Sequence, residues 1–233
     1  MALPQIDVPL YDVQLISIEG KVTYRPFLVK EKKILMAASE SSNEDAAILA
    51  VKQIITNCTF GKLDVDRLAL FEIQYLFLKI RSKSIGEVAD FKFKCPNCAA
   101  YVHSKINFDE IKINKNPNHQ NKIMINDSVG MVLKYPGISV QTLPKDIKPE
   151  DLDIKILINC IDYIFDQNQI YYSKDCTNQE LEGFVENLTE VQYKKIEEFF
   201  ETIPSLSHSI KYKCKECNHV GDYKVDDFYS FFS

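Results

Sequence analysis

The strongest fold signal in this chain comes from two matching stretches. Residues 91–98 read Phe-Lys-Phe-Lys-Cys-Pro-Asn-Cys, and residues 210–217 read Ile-Lys-Tyr-Lys-Cys-Lys-Glu-Cys. Each is a strand-like run that ends in a Cys-x-x-Cys motif, and each is followed by an alternating stretch, at residues 101–106 and 220–225. Strand, Cys-x-x-Cys turn and returning strand form one half of a zinc ribbon. We therefore predict that the two motifs meet in space, although one lies mid-chain and the other near the end.

The four motif cysteines match the ligand set of a structural zinc site. A tetrahedral Zn²⁺ can be held at about 2.3 Å per bond by four thiolates at such spacings, in this chain Cys95, Cys98, Cys214 and Cys217. The alternative, a redox motif, normally needs a thiolate at a helix N-terminus after a βαβ strand, whereas these flanks alternate like β-hairpins. Since four thiolates leave no position for water, we predict a structural metal rather than a catalytic one.

The remaining cysteines and the histidines beside the motifs receive simpler interpretations. Cys58, Cys160 and Cys176 belong to no motif, and we predict buried packing roles for them rather than reactive thiols. His103 and His219 could substitute as ligands or donate hydrogen bonds near the metal. We interpret both as surface residues next to the site.

Composition limits the class of protein. The chain has 233 residues, is 45% hydrophobic and carries a net charge of −5. A packed core is expected, and the acidic balance argues against a dedicated nucleic-acid binder. The first residues lack the features of a secretory signal, and no apolar run approaches the length of a membrane-spanning helix. We therefore expect a soluble protein of a reducing cytoplasm, where seven cysteines indicate metal binding or buried thiols.

Hydrophobic patterns predict an α+β fold that begins with a β-meander. Residues 13–18 and 22–29 alternate around a turn, and residues 34–38 resume an apolar run, so residues 1–40 are predicted as strands. A first helix should start near residues 41–45, and a second should run over residues 64–82 and be buried on two sides. We assign residues 1–88 to this N-terminal α+β domain.

The split ribbon is predicted to bracket an inserted, mainly helical unit. The ribbon takes residues 89–112 and 206–233, including a short aromatic tail that should dock, and the insert takes residues 113–205. Within the insert, residues 123–125 and 129–134 are predicted as a hairpin. Residues 152–164 are predicted as one amphipathic helix, and two further helices should follow with threonine caps.

No catalytic arrangement stands out in the sequence. It has no Gly-rich phosphate loop, no His-Glu-x-x-His motif and no Gly-x-Ser-x-Gly motif. The paired acids at 64 and 66 and at 151 and 153 sit at predicted helix starts, where capping explains them. His119 and His208 have no obvious partners. We predict that the protein is not an enzyme.

Several stretches of the first hundred residues follow a familiar order. Residues 24–33 read Tyr-Arg-Pro-Phe-Leu-Val-Lys-Glu-Lys-Lys, residues 38–41 read Ala-Ser-Glu-Ser, and residues 57–58 are Asn-Cys. Residues 71–87 then read Phe-Glu-Ile-Gln-Tyr-Leu-Phe-Leu-Lys-Ile-Arg-Ser-Lys-Ser-Ile-Gly-Glu, before the first Cys pair. Together these stretches resemble the T4-type bacteriophage baseplate protein family, which includes baseplate hub subunit and hub assembly proteins. The resemblance is strongest over residues 22–98 and extends through Tyr-Pro-Gly at 135–137.

The resemblance implies a non-enzymatic protein that acts in baseplate hub assembly or structure through contacts with hub proteins. It implies a place in the host cytoplasm during assembly or in the tail baseplate of the virion, and it leaves self-association open. The family brings no catalytic residues. The charged residues in its most recognisable stretches are the ones to test for partner contact, namely Arg25, Lys30, Glu31, Arg81 and Lys83. The simpler interpretation of each is an internal ion pair or a solvated charge.

Two other functions compete with this hypothesis. A nucleic-acid-associated zinc-ribbon accessory factor would use the lysines and aromatic residues of both ribbon halves, and its binding would weaken steeply with salt. A thiol oxidoreductase would need a Cys pair with a lowered pKa.

Overall fold

The computed structural model describes residue 4 and residues 6–41, 44–144 and 147–225. It divides into two compact units. The first, which we call the split unit, comprises residues 1–114 together with residues 205–233, and the second, the inserted unit, comprises residues 115–204. The predicted tail at 226–233 lies outside the described residues.

The split unit contributes helices and strands on both sides of the inserted unit in the sequence. Its first part contains β1 (Tyr11–Gln14), β2 (Lys21–Tyr24), α1 (Val29–Glu40), α2 (Glu44–Cys58), α3 (Leu70–Ile85), β3 (Val88–Lys94), β4 (Tyr101–Asn107) and β5 (Lys112–Asn114). The inserted unit contains β6 (Lys122–Met124), β7 (Gly130–Leu133), α4 (Pro149–Cys160), β8 (Ile161–Phe165), β9 (Ile170–Tyr172), α5 (Asn178–Glu186) and α6 (Glu190–Thr202). The split unit then resumes with β10 (Ser205–Lys213) and β11 (Val220–Val225). Mixed helices and small antiparallel sheets confirm the predicted α+β class.

The predicted β-meander is wrong in its last part. The hairpin of β1 and β2 is present, but residues 29–40 form helix α1. The helix buries Glu31 and Ala38, seven residues apart, while the lysines between them are exposed. This spacing is that of one helix face. The Glu31 carboxylate also accepts the backbone N–H of Leu28 at 2.8 Å, which satisfies a free donor at the start of the helix.

Helix α3 is buried on more than one side, as predicted, although it starts later. Leu68 and Ala69 are extended, so the predicted helix of residues 64–82 becomes a short 3₁₀ turn at Val65–Arg67 and a separate helix from Leu70. Asp64 caps the turn through the backbone N–H of Asp66.

Glu72 fixes the start of α3 against the first hairpin. Its fully buried carboxylate accepts the backbone N–H groups of Ile16 at 2.6 Å and Ser17 at 2.8 Å, and also that of Ala69. A buried carboxylate with several donors is satisfied without a paired cation.

The inserted unit places three helices on one face of a four-stranded sheet. The strand order is β6-β7-β8-β9, all antiparallel, which confirms the predicted hairpin and adds two strands. The predicted helix of residues 152–164 ends at Cys160, and residues 161–165 form β8 instead. The N–H of Lys134 donates to the carbonyl of Cys160 at 2.7 Å, and Ile161 pairs with Leu133 on β7, so sheet pairing begins where the helix ends. Helices α5 and α6 begin at the predicted caps, Thr177 and Thr189.

Candidate metal centre

Both Cys-x-x-Cys motifs occupy the turn of an antiparallel hairpin. Strands β3 and β4 flank Cys95 and Cys98, and strands β10 and β11 flank Cys214 and Cys217. Alternation in the flanking residues explains the strands, because Phe91 and Phe93 point into the core of the split unit while Lys92 and Lys94 face solvent.

The two turns have the same backbone hydrogen bonds. The N–H of Cys95 donates to the carbonyl of Ala100 at 2.8 Å, and the N–H of Ala99 donates to the carbonyl of Cys95 at 2.8 Å. In the second turn, the N–H of Cys214 donates to the carbonyl of His219 at 2.8 Å, and the N–H of Asn218 donates to that of Cys214 at 3.0 Å. The same backbone hydrogen bonds therefore close both turns and orient both cysteines of each pair.

The residue after each motif adopts a left-handed conformation. Ala99 and Asn218 both have φ of +58°. Asparagine enters this region readily, whereas for alanine it costs about 1–2 kcal/mol because its Cβ approaches the backbone carbonyl.

We expect Ala99→Gly to raise stability by up to about 1 kcal/mol. The backbone strain that glycine relieves is larger than the conformational entropy that it adds to the unfolded chain. Ala99→Val should lower stability by about 1–2 kcal/mol, because a β-branched residue is a genuine outlier at positive φ. Thermal unfolding should shift by about 2–4 °C per kcal/mol for a chain of this size. A glycine variant that melts at a lower temperature than the valine variant would contradict the backbone strain inferred at Ala99.

The four sulfur atoms converge in space. The Sγ atoms of Cys95 and Cys217 are 3.8 Å apart, those of Cys98 and Cys214 are 3.7 Å apart, and all four lie within 4.8 Å of one another. Four sulfurs around a tetrahedral metal at about 2.3 Å would be separated by about 3.8 Å. A disulfide would need about 2.05 Å, so the sulfurs match shared coordination far better than direct bonding.

One side of this cluster is buried and the other is open. Cys95 and Cys214 are 2% and 1% exposed, whereas Cys98 is exposed and Cys217 is half-buried. Aromatic rings join the two hairpins beneath the cluster. The ring of Phe93 stacks on that of Tyr223 at 4.0 Å and meets that of Tyr212 edge-on at 4.9 Å.

The thiols do not share the same proton affinity. Hydrogen bonds from the Asn97 side chain and the His219 backbone lower the pKa of Cys217 to about 6. The backbone N–H of Ala100 lowers the pKa of Cys98, but the sulfur of Cys217, desolvation and the other sulfurs outweigh it and raise the pKa to about 12. Four thiolates this close repel one another unless a cation is present. A divalent metal would remove this repulsion.

The other cysteines and the histidines lie outside this group. The metal-capable group found among the described residues contains the four cysteines and neither His103 nor His219. Cys58 and Cys160 are fully buried, as predicted, and burial raises the pKa of Cys58 to about 11 and that of Cys160 to about 12. Cys176 is half-buried against the core of the inserted unit.

The charged residues named for partner contact divide into internal and exposed ones. Arg25 and Glu31 are 7% and 0% exposed and form a buried ion pair at 2.9 Å, so a partner cannot reach them without unfolding. Arg81 lies over the ring of Phe108 at 4.5 Å, and Lys83 pairs with Asp109 at 3.0 Å. Lys30 has an exposed side chain, at 67%. The buried pair of Arg25 and Glu31 matches the simpler interpretation given above for these residues, an internal ion pair.

His119 acquires partners that the sequence did not suggest. Its Nδ1 lies 2.9 Å from the hydroxyl of Thr202, and its ring lies against those of Tyr135 and Phe199. These contacts belong to the core of the inserted unit, and they do not place a nucleophile beside a general base.

Comparison with known proteins gives one family. A family model described as T4 bacteriophage base plate protein matches residues 8–233, nearly the whole chain. No curated protein and no solved structure gives a significant match. Among the described residues, none of the helices is both long and apolar enough to cross a bilayer.

Proposed function

The chain belongs to the T4 bacteriophage base plate protein family, and on this premise we propose that it builds or assembles the baseplate hub through contacts with hub proteins. The family match over residues 8–233 is the observation that carries this proposal. It supports protein partners in a phage baseplate and a location in the tail baseplate of the virion. The finer assignments, to the hub and to an assembly stage in the host cytoplasm, are parts of this proposal.

We further propose that the four cysteines hold one structural Zn²⁺. Zinc is favoured over other metals because four thiolates in tetrahedral reach are its preferred structural ligand set. Bound there, the ion would supply four strong bonds between two hairpins that are distant in sequence. Cys95 and Cys98 would hold it from the first hairpin, and Cys214 and Cys217 from the second.

The proposed metal also explains how the chain organises its inserted unit. Residues 89–112 and 206–226 would be joined at the metal, so that residues 113–205 form an insertion whose two ends leave from the same small sheet. Strand β5 pairs with β10 through Leu206 and Ile113, which brings those two ends together directly. A rigid base of this kind suits a protein that presents surfaces to partners rather than one that performs chemistry.

The same donor set supports a structural rather than a catalytic role for the proposed metal. Four thiolates would leave zinc no open coordination position, so the ion could not activate water. The first pair of helix-start acids has ordinary structural roles, since Asp64 caps a turn and Asp66 pairs with Lys52 at 2.6 Å.

Isolation of baseplate intermediates from infected cells tests this function. The tagged chain should co-sediment with hub complexes before tails are complete, and mass spectrometry should identify hub proteins at fixed stoichiometry. Deletion of the coding sequence should stop infection at tails that lack a hub. A chain that never enters baseplate fractions, with full tail assembly in the deletion strain, would overturn the proposal. Salt-sensitive binding to DNA in the same fractions would favour the nucleic-acid accessory role instead.

A further inference from the structure

One face of the sheet in the inserted unit carries apolar and aromatic side chains that are open to solvent. Cross-strand register places two rows on this face, and we call them the outer sheet face. The first row is Lys122, Val132, Tyr163 and Tyr172. The second row is Met124, Gly130, Phe165 and Ile170.

The opposite face of the same sheet is already covered. The row between the two outer rows begins with Ile123, Met131 and Ile164, which are 8%, 0% and 8% exposed and pack with side chains of α4, α5 and α6. Antiparallel sheets that are covered on one side usually carry polar residues on the other. The outer sheet face departs from this rule.

Three apolar side chains of the outer sheet face are substantially exposed, while Val132, Tyr163 and Phe165 are partly buried. Met124, Ile170 and Tyr172 are 43%, 52% and 46% exposed. Rings continue across the face, with Tyr163 5.7 Å from Tyr172 and 6.2 Å from Phe165. Exposed apolar residues in a contiguous cluster mark interaction sites more often than scattered ones do.

Gly130 makes the centre of this face flat. A Cβ at this position would collide with the ring of Phe165, so glycine allows that ring to lie across strand β7. A strand interior normally disfavours glycine, and a close approach of another group is one reason to keep it.

Two lysines give the face a positive charge in an acidic chain. Lys122 lies over the ring of Phe165 at 4.8 Å, and Lys174 lies over that of Tyr172 at 5.4 Å. Among the ion pairs formed by the described residues, neither lysine has an acidic partner. The chain is acidic overall, with a net charge of −5, and these two lysines are cations beside an apolar face that could meet acidic groups of a partner.

We propose that the outer sheet face docks an amphipathic helix of another baseplate protein, with acidic residues beside its apolar stripe. Four strands spaced about 4.8 Å apart span about 14 Å, which accommodates one helix about 10 Å wide. Helices pack their apolar stripe on sheet faces, and acids on the helix would meet Lys122 and Lys174. A second copy of this chain fits less well, because two such faces would oppose their lysines. The inference rests on the proposed function and names the surface it uses.

A defined peptide tests the surface directly. The probe is a fluorescent Leu-striped helical peptide of about 18 residues, or five turns, with glutamates beside the stripe. The full chain should bind it, and the same peptide with lysines beside the stripe should bind at least about tenfold more weakly. Equal binding of both peptides, no binding of either, or tighter binding of a single-stranded oligonucleotide would each overturn the proposal.

Variants at exposed positions separate the face from the fold. Met124→Glu with Ile170→Glu, and Lys122→Glu with Lys174→Glu, should each weaken binding by about tenfold or more, because they remove apolar contact or reverse the charge. The matched control is Val191→Glu with Lys194→Glu on α6, where Val191 is 75% exposed and outside the face. Circular dichroism checks folding of each variant. An unchanged affinity in the face variants contradicts the inference, as does a loss equal to that of the control.

The same variants distinguish this inference from the proposed function. If wild type enters baseplate fractions and the folded face variants enter equally well, the surface is wrong and the function stands. If wild type does not enter these fractions, the proposed function fails whatever the peptide binds. Sedimentation of the free chain tests whether a second copy of the chain occupies the face. A dimer that Ile170→Glu abolishes would mean that the face binds another copy of this chain, and it would overturn the proposal.

Discussion

Replacing Arg25 with methionine should lower the stability of the split unit by about 3–5 kcal/mol, the cost of leaving a buried charge without its partner. Glu31 is fully buried, and both of its oxygens receive the guanidinium of Arg25, at 2.9 and 3.3 Å. The same guanidinium donates to the carbonyl of Pro26 at 2.9 Å. Denaturant unfolding followed by circular dichroism measures the loss.

The pH dependence of this loss has a definite sign. Burial alone would raise the pKa of Glu31, but hydrogen bonds from Arg25 and the Leu28 backbone outweigh it and lower the pKa below 4.5. In wild type, this group therefore contributes stability above about pH 4.5 that is lost as the pH falls through the folded pKa. In Arg25→Met the uncompensated carboxyl has a raised pKa, so the variant loses stability as the pH rises. The difference between the two proteins should be larger at pH 7.5 than at pH 4.

Two further variants make this result diagnostic. Lys30→Met removes a neighbouring exposed cation that also approaches Glu31, at 3.7 Å, and should cost less than about 1 kcal/mol. Arg25→Met with Glu31→Met should recover most of the loss, because replacing both partners by apolar groups removes the buried charge. If Arg25→Met cost no more than Lys30→Met, the pair would not stabilise the fold.

Residue spacing predicted the convergence of the four cysteines well because its determinants are local. Each Cys-x-x-Cys lies between strands with clear alternation, and the two local patterns are alike, so convergence of the sulfurs required only that the two hairpins complete one ligand set. The left-handed conformations at Ala99 and Asn218 were not foreseen, since alanine gives no signal for positive φ.

The elements that were missed depend on partners distant in sequence or on side chains that hydrophobicity does not rank as buried. Helix α1 was assigned as a strand because its lysines looked like a break, and Glu31 could not be expected inside without Arg25 beside it. Strand β8 continued the apolar spacing of α4, and only its pairing with β7 reveals where the helix ends. Hydrophobic periodicity alone cannot separate a short buried strand from the end of a helix.

The largest effect is expected from removing ligands of the proposed metal. Cys95→Ser with Cys98→Ser should reduce bound zinc from one ion per chain to nearly none and leave the split unit unfolded. Apparent zinc-binding free energies in small zinc domains are about 10–16 kcal/mol, which equals or exceeds the stability of a typical domain, about 5–15 kcal/mol. Removing two ligands also leaves the second hairpin held to the first only by side-chain packing, such as Phe93 on Tyr223, and by the short pairing of β10 with β5.

A matched cysteine variant and a metal exchange separate this result from general sensitivity to mutation. Cys176→Ser, half-buried and outside the cluster, should keep one zinc per chain and the wild-type melting temperature. A strong chelator should unfold the wild-type split unit, and added zinc should refold it, whereas the double variant should not respond to either. Cobalt taken up in place of zinc should show the visible absorption of a tetrahedral thiolate site, since geometry reports the ligand set. A double variant that binds as much metal as wild type and melts at the same temperature would refute the site, because Cys95 and Cys98 would then not be ligands of the ion.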